Sequence, residues 1–330
     1  MPRAIVMRTP GPADVLHLED VEVGDPGPGQ VRIRQTAVGV NFHDIYVRSG
    51  LYTTLPLPGI PGVEAAGVVD ALGDGVAGLA VGDRVGYITD GYGAYTGARL
   101  LDAALAMRLP DSLGDVAAAS VLIKGITVEV LLRRVHAVKP GDWILVQAAA
   151  GGVGQLLVRW ASSIGATVIG TVGSEAKAEI ARSAGAAHTI LYRDQDVASE
   201  VQRITDGRGV DVVYDSVGGD TFDGSLGSLA MLGHLVNFGQ SSGPVPPFAV
   251  ARLSPRSASL TRPMVFHYLA DPALRAEMAA SLFAALADGT VTAEPARTFP
   301  LAEAAAAHAA MESRAVAGAI VLVPDDIDRM

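Results

Sequence analysis

The residues of this chain best placed to do chemistry lie in the run Trp143-Ile-Leu-Val-Gln-Ala-Ala-Ala-Gly-Gly-Val-Gly154. The apolar stretch 143–148 reads as a buried parallel strand. It enters a turn of residues with almost no side chain, and that turn opens a helix over 152–163. Small residues there let a backbone approach a pyrophosphate, whose charge is favoured at a helix N-terminus. The pattern Gly-x-Gly-x-x-Gly is met imperfectly. Ala149 stands at the first glycine, and Gly151 and Gly154 fill the second and third. A buried strand entering a tight turn gives the same pattern, so the surrounding elements must decide.

Those elements alternate. Strand candidates at 143–148, 167–172, 188–192, 210–217 and 234–238 are separated by helical runs at 152–163, 175–184, 197–205 and 220–231. This is the βαβ signature of a doubly wound parallel sheet, with the turn after its first strand. The region before it has another texture: 31–34 alternates like a half-exposed strand, and 64–73 and 81–88 read as strands with turns. Past 266 come helical stretches at 272–287 and 302–313 and short β segments at 294–299 and 319–323. The expected architecture is α/β, a nucleotide-binding domain over 123–265 inserted into a split β-rich domain over 1–122 and 266–330.

The second strand of the parallel set indicates which dinucleotide fits. It ends in Gly173-Ser174 with Lys177 one turn on and no carboxylate at its end. Small residues, a hydroxyl and an ammonium suit a phosphate on the ribose, which favours NADPH over NADH. Tyr192, ending the third strand, is placed to stack on adenine or donate to that phosphate. Glu175 must then point away.

Composition excludes much else. Of 330 residues 49% are apolar and 18% charged, enough for a large core in two domains. Cysteine is absent, which removes disulfides, thiolate nucleophiles, iron–sulfur clusters and thiolate zinc sites. The seven histidines, among them His43, form no metal-binding pattern, so no metal is expected. A net charge of −10 gives a poor footprint for nucleic acid. No apolar run reaches the roughly eighteen residues of a membrane span, and the N-terminus is too quickly polar for a signal peptide, so a cytoplasmic protein is expected.

Several further motifs occur in order: Gly39-Val-Asn-Phe-His-Asp44-Ile-Tyr46, Arg48-Ser-Gly-Leu-Tyr52, Pro61-Gly-Val-Glu-Ala-Ala-Gly67, Gly82-Asp-Arg-Val85, Lys124-Gly-Ile-Thr127, Tyr214-Asp-Ser-Val217, Asn237-Phe-Gly-Gln-Ser241 and Glu312-Ser-Arg314. With the Ala-Ala-Gly-Gly-x-Gly turn, they resemble the zinc-independent quinone oxidoreductases. These form the ζ-crystallin-like branch of the medium-chain dehydrogenase/reductase superfamily. The resemblance spans nearly the whole chain. It departs from the zinc alcohol dehydrogenases of the same superfamily, having Gly62-Val63-Glu64 where those carry Gly-His-Glu and no four-cysteine lobe.

The resemblance implies a Rossmann-type domain, a GroES-like catalytic domain and metal-free hydride transfer from NADPH to a quinone. It implies that Asn41 and Tyr52 hydrogen-bond a quinone oxygen, and that Tyr46, with Phe42 and Asp44, lies at the nicotinamide end. Asp44 and Lys124 serve equally well in structural contacts. Thr127, Gly151, Gly152 and Val153 are implied to hold nicotinamide and pyrophosphate. Ser216, Phe238, Gly239 and Ser241 support the cofactor from the later strands, and Arg314 closes from the C-terminal segment. A reductase of α,β-unsaturated ketones is the nearest alternative, and an RNA-binding ζ-crystallin-like protein a remoter one. A homodimer is implied, with the segment Ser257-Ala-Ser-Leu-Thr-Arg-Pro263 as an edge strand.

Overall fold

Alternating burial in the first part of the chain and continuous apolar runs in the middle build two kinds of sheet. The computed structural model describes residues 1–324. The chain divides into two units, residues 1–123 with 293 onward, and residues 124–292.

In the first unit β1 (Arg3–Val6) pairs antiparallel with β2 (His17–Asp20). The long β3 (Gln30–Val40) buries Val31, Ile33, Gln35 and Ala37 and leaves the residues between them half exposed, the period of a strand with one face inward. It pairs antiparallel with β4 (Glu64–Leu72) and β6 (Ala98–Asp102). β4 continues to β5 (Arg84–Ile88), and β5 to the short β7 (Met107–Arg108). α1 (Phe42–Ser49) leaves the end of β3 and stops at Gly50, whose φ of 83° is a left-handed cap that glycine adopts without strain.

α2 (Asp115–Glu129) and the π-helical turn Val130–Val135 were not visible as a periodic pattern. Nearly every residue from Ala118 to Leu132 is buried. A helix apolar on all sides has no 3.6-residue stripe to betray it.

The second unit is a six-stranded, wholly parallel sheet in the order β10-β9-β8-β11-β12-β13. Its strands are β8 (Trp143–Val146), β9 (Thr167–Val172), β10 (His188–Leu191), β11 (Val210–Asp215), β12 (Leu229–Asn237) and β13 (Ser259–Thr261). The helices are α3 (Gly152–Ile164), α4 (Glu175–Ser183), α5 (Val197–Ile204), α6 (Phe222–Gly227), α7 (Val265–Leu269) and α8 (Pro272–Ala287). The order of winding reverses between β8 and β11, which is where such sheets receive ligands at the carboxyl ends of the strands. β13 is the edge strand expected from 257–263.

Four expectations are corrected here. The helix expected over 220–231 ends at Gly227, because Leu229 is drawn into the sheet beside Val210. A register shift then leaves Met231 and Leu232 exposed, Leu232 at a φ of 63°. The strand expected over 143–148 stops at Val146, and that over 210–217 at Asp215. The helix over 272–287 groups with the parallel-sheet unit, not with the β-rich one. Gly125 of α2 leaves the space that Leu282 fills, since a Cβ there would lie 2.4 Å from the leucine Cδ1, and Arg134 bonds Glu277 at 2.9 Å.

The chain returns to the first unit through β14 (Pro295–Pro300), α9 (Ala304–Glu312) and β15 (Ala319–Val323). β14 pairs parallel with β15, and β15 antiparallel with β3. The β-rich domain is thus split in sequence and joined in one sheet.

Candidate active site

In the second unit the small-residue run lies where β8 gives way to α3. Ala148 sits at a φ of 53°, and its carbonyl accepts from Gly151 N at 2.9 Å. A Cβ at Gly154 would lie 2.3 Å from the Ala148 oxygen, so the third glycine is fixed by backbone approach. The alanine at the first glycine position has its own compensation. The Ala149 methyl occupies the space left by Gly170 on β9, where a Cβ would come within 2.7 Å of it. α3 is preceded by Gly151 in extended conformation, no side chain caps it, and its first turn holds no acidic residue. Its positive end is therefore left for an external anion. That fits a dinucleotide pyrophosphate.

Beside it, at the end of β9, Gly173 leaves room for Tyr192, whose phenol oxygen would stand 2.6 Å from a Cβ there. The Arg193 Nε lies 3.5 Å from the same point, so a guanidinium shares this corner. Ser174 caps α4, accepting weakly from Lys177 N at 3.4 Å. Glu175 is turned aside: Arg182, two turns further along the helix, binds its carboxylate and also that of Glu179 at 3.2 Å. The corner thus joins Gly173, Ser174, Lys177, Tyr192 and Arg193 with the nearest carboxylate neutralised, a suitable seat for a ribose phosphate.

At the ends of β11 and β12, Asp215 is fully buried and accepts from Val217 N (2.8 Å), Gly218 N (3.0 Å) and Thr221 Oγ1. A Cβ at Gly239 would lie 2.4 Å from the Ser216 carbonyl, so these two loops touch through backbone. Ser241 N donates to the same carbonyl at 3.3 Å. Arg262, just past β13, donates to the carbonyls of Asn237 and Gly239 and so fixes the turn that carries Phe238. Thr127 is half buried on α2.

The first unit holds a second cluster. Asn41 precedes α1; its backbone N–H donates to Asp44 Oδ2 at 2.8 Å, and its side-chain Nδ2 to Glu64 Oε1 at 2.9 Å. Glu64 is fully buried, and its other oxygen accepts from Ile123 N at 2.8 Å. Tyr46 on α1 meets Tyr52 edge-on, with ring centres 5.2 Å apart, and Phe42 lies 6.1 Å from Tyr46. His43 stacks on Tyr92 at 5.8 Å and meets Tyr52 at 5.5 Å. Its Nε2 is 3.2 Å from the Tyr92 hydroxyl, which also bonds Thr54. Burial pushes the His43 imidazole down to about 4, so it is neutral near pH 7.

Asp44 is fully buried as a helix cap, and Tyr95 also reaches it at 3.2 Å. Tyr95 lies 2.9 Å from His308 Nε2. One phenol hydrogen cannot serve both, so Tyr95 donates to the carboxylate and His308 donates from Nε2. Burial, with Arg48 adding to it, pushes His308 down to about 3. Arg48 is itself buried and grips Glu312 at 2.7 and 2.8 Å. Arg314, two residues on, is exposed at a φ of 56°.

Two family models match this chain, described as alcohol dehydrogenase GroES-like domain over residues 27–114 and zinc-binding dehydrogenase over residues 152–282. A 2-haloacrylate reductase of a Burkholderia species is 46% identical over 98% of this chain and 99% of its own. A quinone oxidoreductase of Pseudomonas aeruginosa is 42% identical over 98% of this chain and 100% of its own. The chain belongs to the medium-chain dehydrogenase/reductase superfamily. The structure of Escherichia coli quinone oxidoreductase complexed with NADPH has a TM-score of 0.95 at 39% identity, covering 98% of this chain and 100% of that one.

As a medium-chain reductase, the chain has the GroES-like and Rossmann-type pairing expected from its motifs. Sequence reasoning missed Arg193, although a basic residue directly after Tyr192 was a usable signal. It also passed over Glu64 as the partner of Asn41, because 23 residues separate them.

Proposed function

We propose that this medium-chain reductase transfers a hydride from NADPH to a quinone without a metal. The observation that carries the reading is the uncapped N-terminus of α3 behind the Ala148–Gly154 turn, next to a corner holding Lys177 and Arg193. NADPH, when bound, supplies the hydride. Gly151, Gly152 and Val153 hold the pyrophosphate through backbone N–H groups. Gly173, Ser174, Lys177, Tyr192 and Arg193 take the 2′-phosphate and adenine. Thr127, Ser216, Phe238, Gly239 and Ser241 support the ribose and nicotinamide side, with Arg314 contributing from the C-terminal segment. By the resemblance Phe42 and Tyr46 belong to the nicotinamide end, and Asp44 caps α1.

Asn41 and Tyr52 orient the acceptor by hydrogen bonds to a carbonyl oxygen. A quinone needs little more, because its reduced ring becomes aromatic, so positioning and water exclusion carry the catalysis. The chain acts in the cytoplasm as a homodimer joined along the β13 edge. No helix of the described residues is long and apolar enough to cross a membrane.

A second reading rests on the 46% identity to a 2-haloacrylate reductase: the acceptor is an alkene conjugated to a carbonyl, and hydride goes to its β-carbon. Steady-state turnover with NADPH on 1,4-benzoquinone, 9,10-phenanthrenequinone, an enone and 2-chloroacrylate decides. Quinones should be preferred. An enone or haloacrylate turned over tenfold faster than either quinone would replace the first reading with the second.

A further inference from the structure

A single directed chain of buried hydrogen bonds runs under the phosphate turn. Ala148 N donates to Thr171 Oγ1 at 3.3 Å, and Thr171 Oγ1 donates to Gln147 Oε1 at 2.6 Å. Gln147 Nε2 donates to Ser225 Oγ at 3.0 Å, and Ser225 Oγ to Asp215 Oδ2 at 2.8 Å. Gln147, Thr171, Ser225 and Asp215 are all buried. Each hydroxyl gives its one hydrogen forward and accepts from behind, so the polarity is fixed from the Ala148 N–H to the carboxylate. Such chains strengthen one another in a dry interior. The carboxylate at its end also gathers the loop after β11 through Val217 N and Gly218 N.

At the other end, Ala148 holds a φ of 53°, a conformation that a residue with a Cβ avoids unless its surroundings impose it. We propose that Asp215, Ser225, Gln147 and Thr171 are positioning residues that hold Ala148 left-handed and thereby shape the turn for the pyrophosphate. This rests on the reading that the turn binds NADPH. On the phosphate turn they act through the Ala148 N–H that Thr171 anchors. The same carboxylate sets the loop that meets Gly239, so the loop beyond β11 and the phosphate turn are fixed by one group.

The test uses the whole protein and direct titration of NADPH and of adenosine 2′-monophosphate, which carries no pyrophosphate. Thr171→Val should raise the NADPH Kd about tenfold or more while leaving adenosine 2′-monophosphate within about twofold. Thr171→Ser should bind NADPH like the wild type. Ala148→Gly added to Thr171→Val should recover most of the loss, because glycine adopts the left-handed conformation without help. Should Thr171→Val not fold, Ser225→Ala is expected to give a smaller loss with the same rescue. Unchanged NADPH binding in Thr171→Val overturns the proposal. So does a parallel loss of both ligands, or a loss that Ala148→Gly does not repair. Failure of the wild type to bind NADPH would instead overturn the cofactor reading.

Discussion

The side-chain amide of Asn41 is held by Glu64, Nδ2 to Oε1 at 2.9 Å, with both residues buried. The other Glu64 oxygen accepts from Ile123 N at 2.8 Å. A carboxylate suits this place because it accepts on both sides, whereas a glutamine must turn an N–H toward one of the two donors. Gly39 makes the room, since a Cβ there would lie 2.2 Å from Glu64 Oε1. Glu64 therefore sets which way the proposed substrate-binding amide faces.

Glu64→Gln is accordingly expected to lower kcat for 1,4-benzoquinone by about tenfold, the effect of a misplaced orienting group, with the NADPH Kd within about twofold of wild type. Gly39→Ala should do the same by pushing the carboxylate. Steady-state kinetics beside NADPH titration separate the two quantities. A change confined to NADPH binding would remove Glu64 from the substrate end.

The corner at Gly173 predicts cofactor choice. Lys177→Ala and Arg193→Ala should each weaken NADPH by about tenfold, the scale of one partly exposed charge-assisted contact. NADH, lacking the phosphate, should change less than about twofold. Because Glu175 is occupied by Arg182, Arg182→Ala frees that carboxylate and should also weaken NADPH selectively. Equal losses for both cofactors in Lys177→Ala would sink the phosphate-seat assignment.

What was legible in the sequence was local. The turn at 148–154, the strand–helix alternation around it and the Ser174–Lys177 step each lie within a few residues, where spacing maps directly onto geometry. The compensation of Ala149 by Gly170 was not legible, because β8 and β9 meet only through parallel pairing. Neither was the Asn41–Glu64 bond across β3 and β4. α2 was hidden for the opposite reason, being buried on nearly all faces. At 229–231 the helical pattern lost to strand pairing with Val210, which tertiary context alone supplies.

The two inner glycines of the turn should fail in different ways. At Gly154 a Cβ would meet the Ala148 oxygen at 2.3 Å, and the backbone must shift. At Gly151 the same oxygen is 3.2 Å away, a tight but tolerable contact. Gly154→Ala is expected to destabilise the protein without ligand by about 1–3 kcal/mol. Gly151→Ala should leave thermal stability nearly unchanged and still weaken NADPH by about tenfold, because the second glycine of such a turn is the one that lets backbone approach the pyrophosphate. Thermal melts with and without NADPH check both.

Two buried histidines make stability fall toward acid pH. His43 is pushed down to about 4 and His308 to about 3, both chiefly by burial. In the unfolded chain each binds a proton below about 6.5, while the folded protein keeps both neutral. The unfolded state therefore binds more protons between about 6.5 and 4, and stability must fall as pH falls through that window. Each histidine contributes a slope of up to about 1.4 kcal/mol per pH unit there. His308→Leu removes one of these protons and leaves the Tyr95 hydroxyl its bond to Asp44. Urea unfolding at pH 5, 6 and 7 should then show the variant losing less stability on acidification than the wild type, by about one proton's slope. Identical pH dependence would mean that His308 is protonated in the folded protein, against the burial that surrounds it.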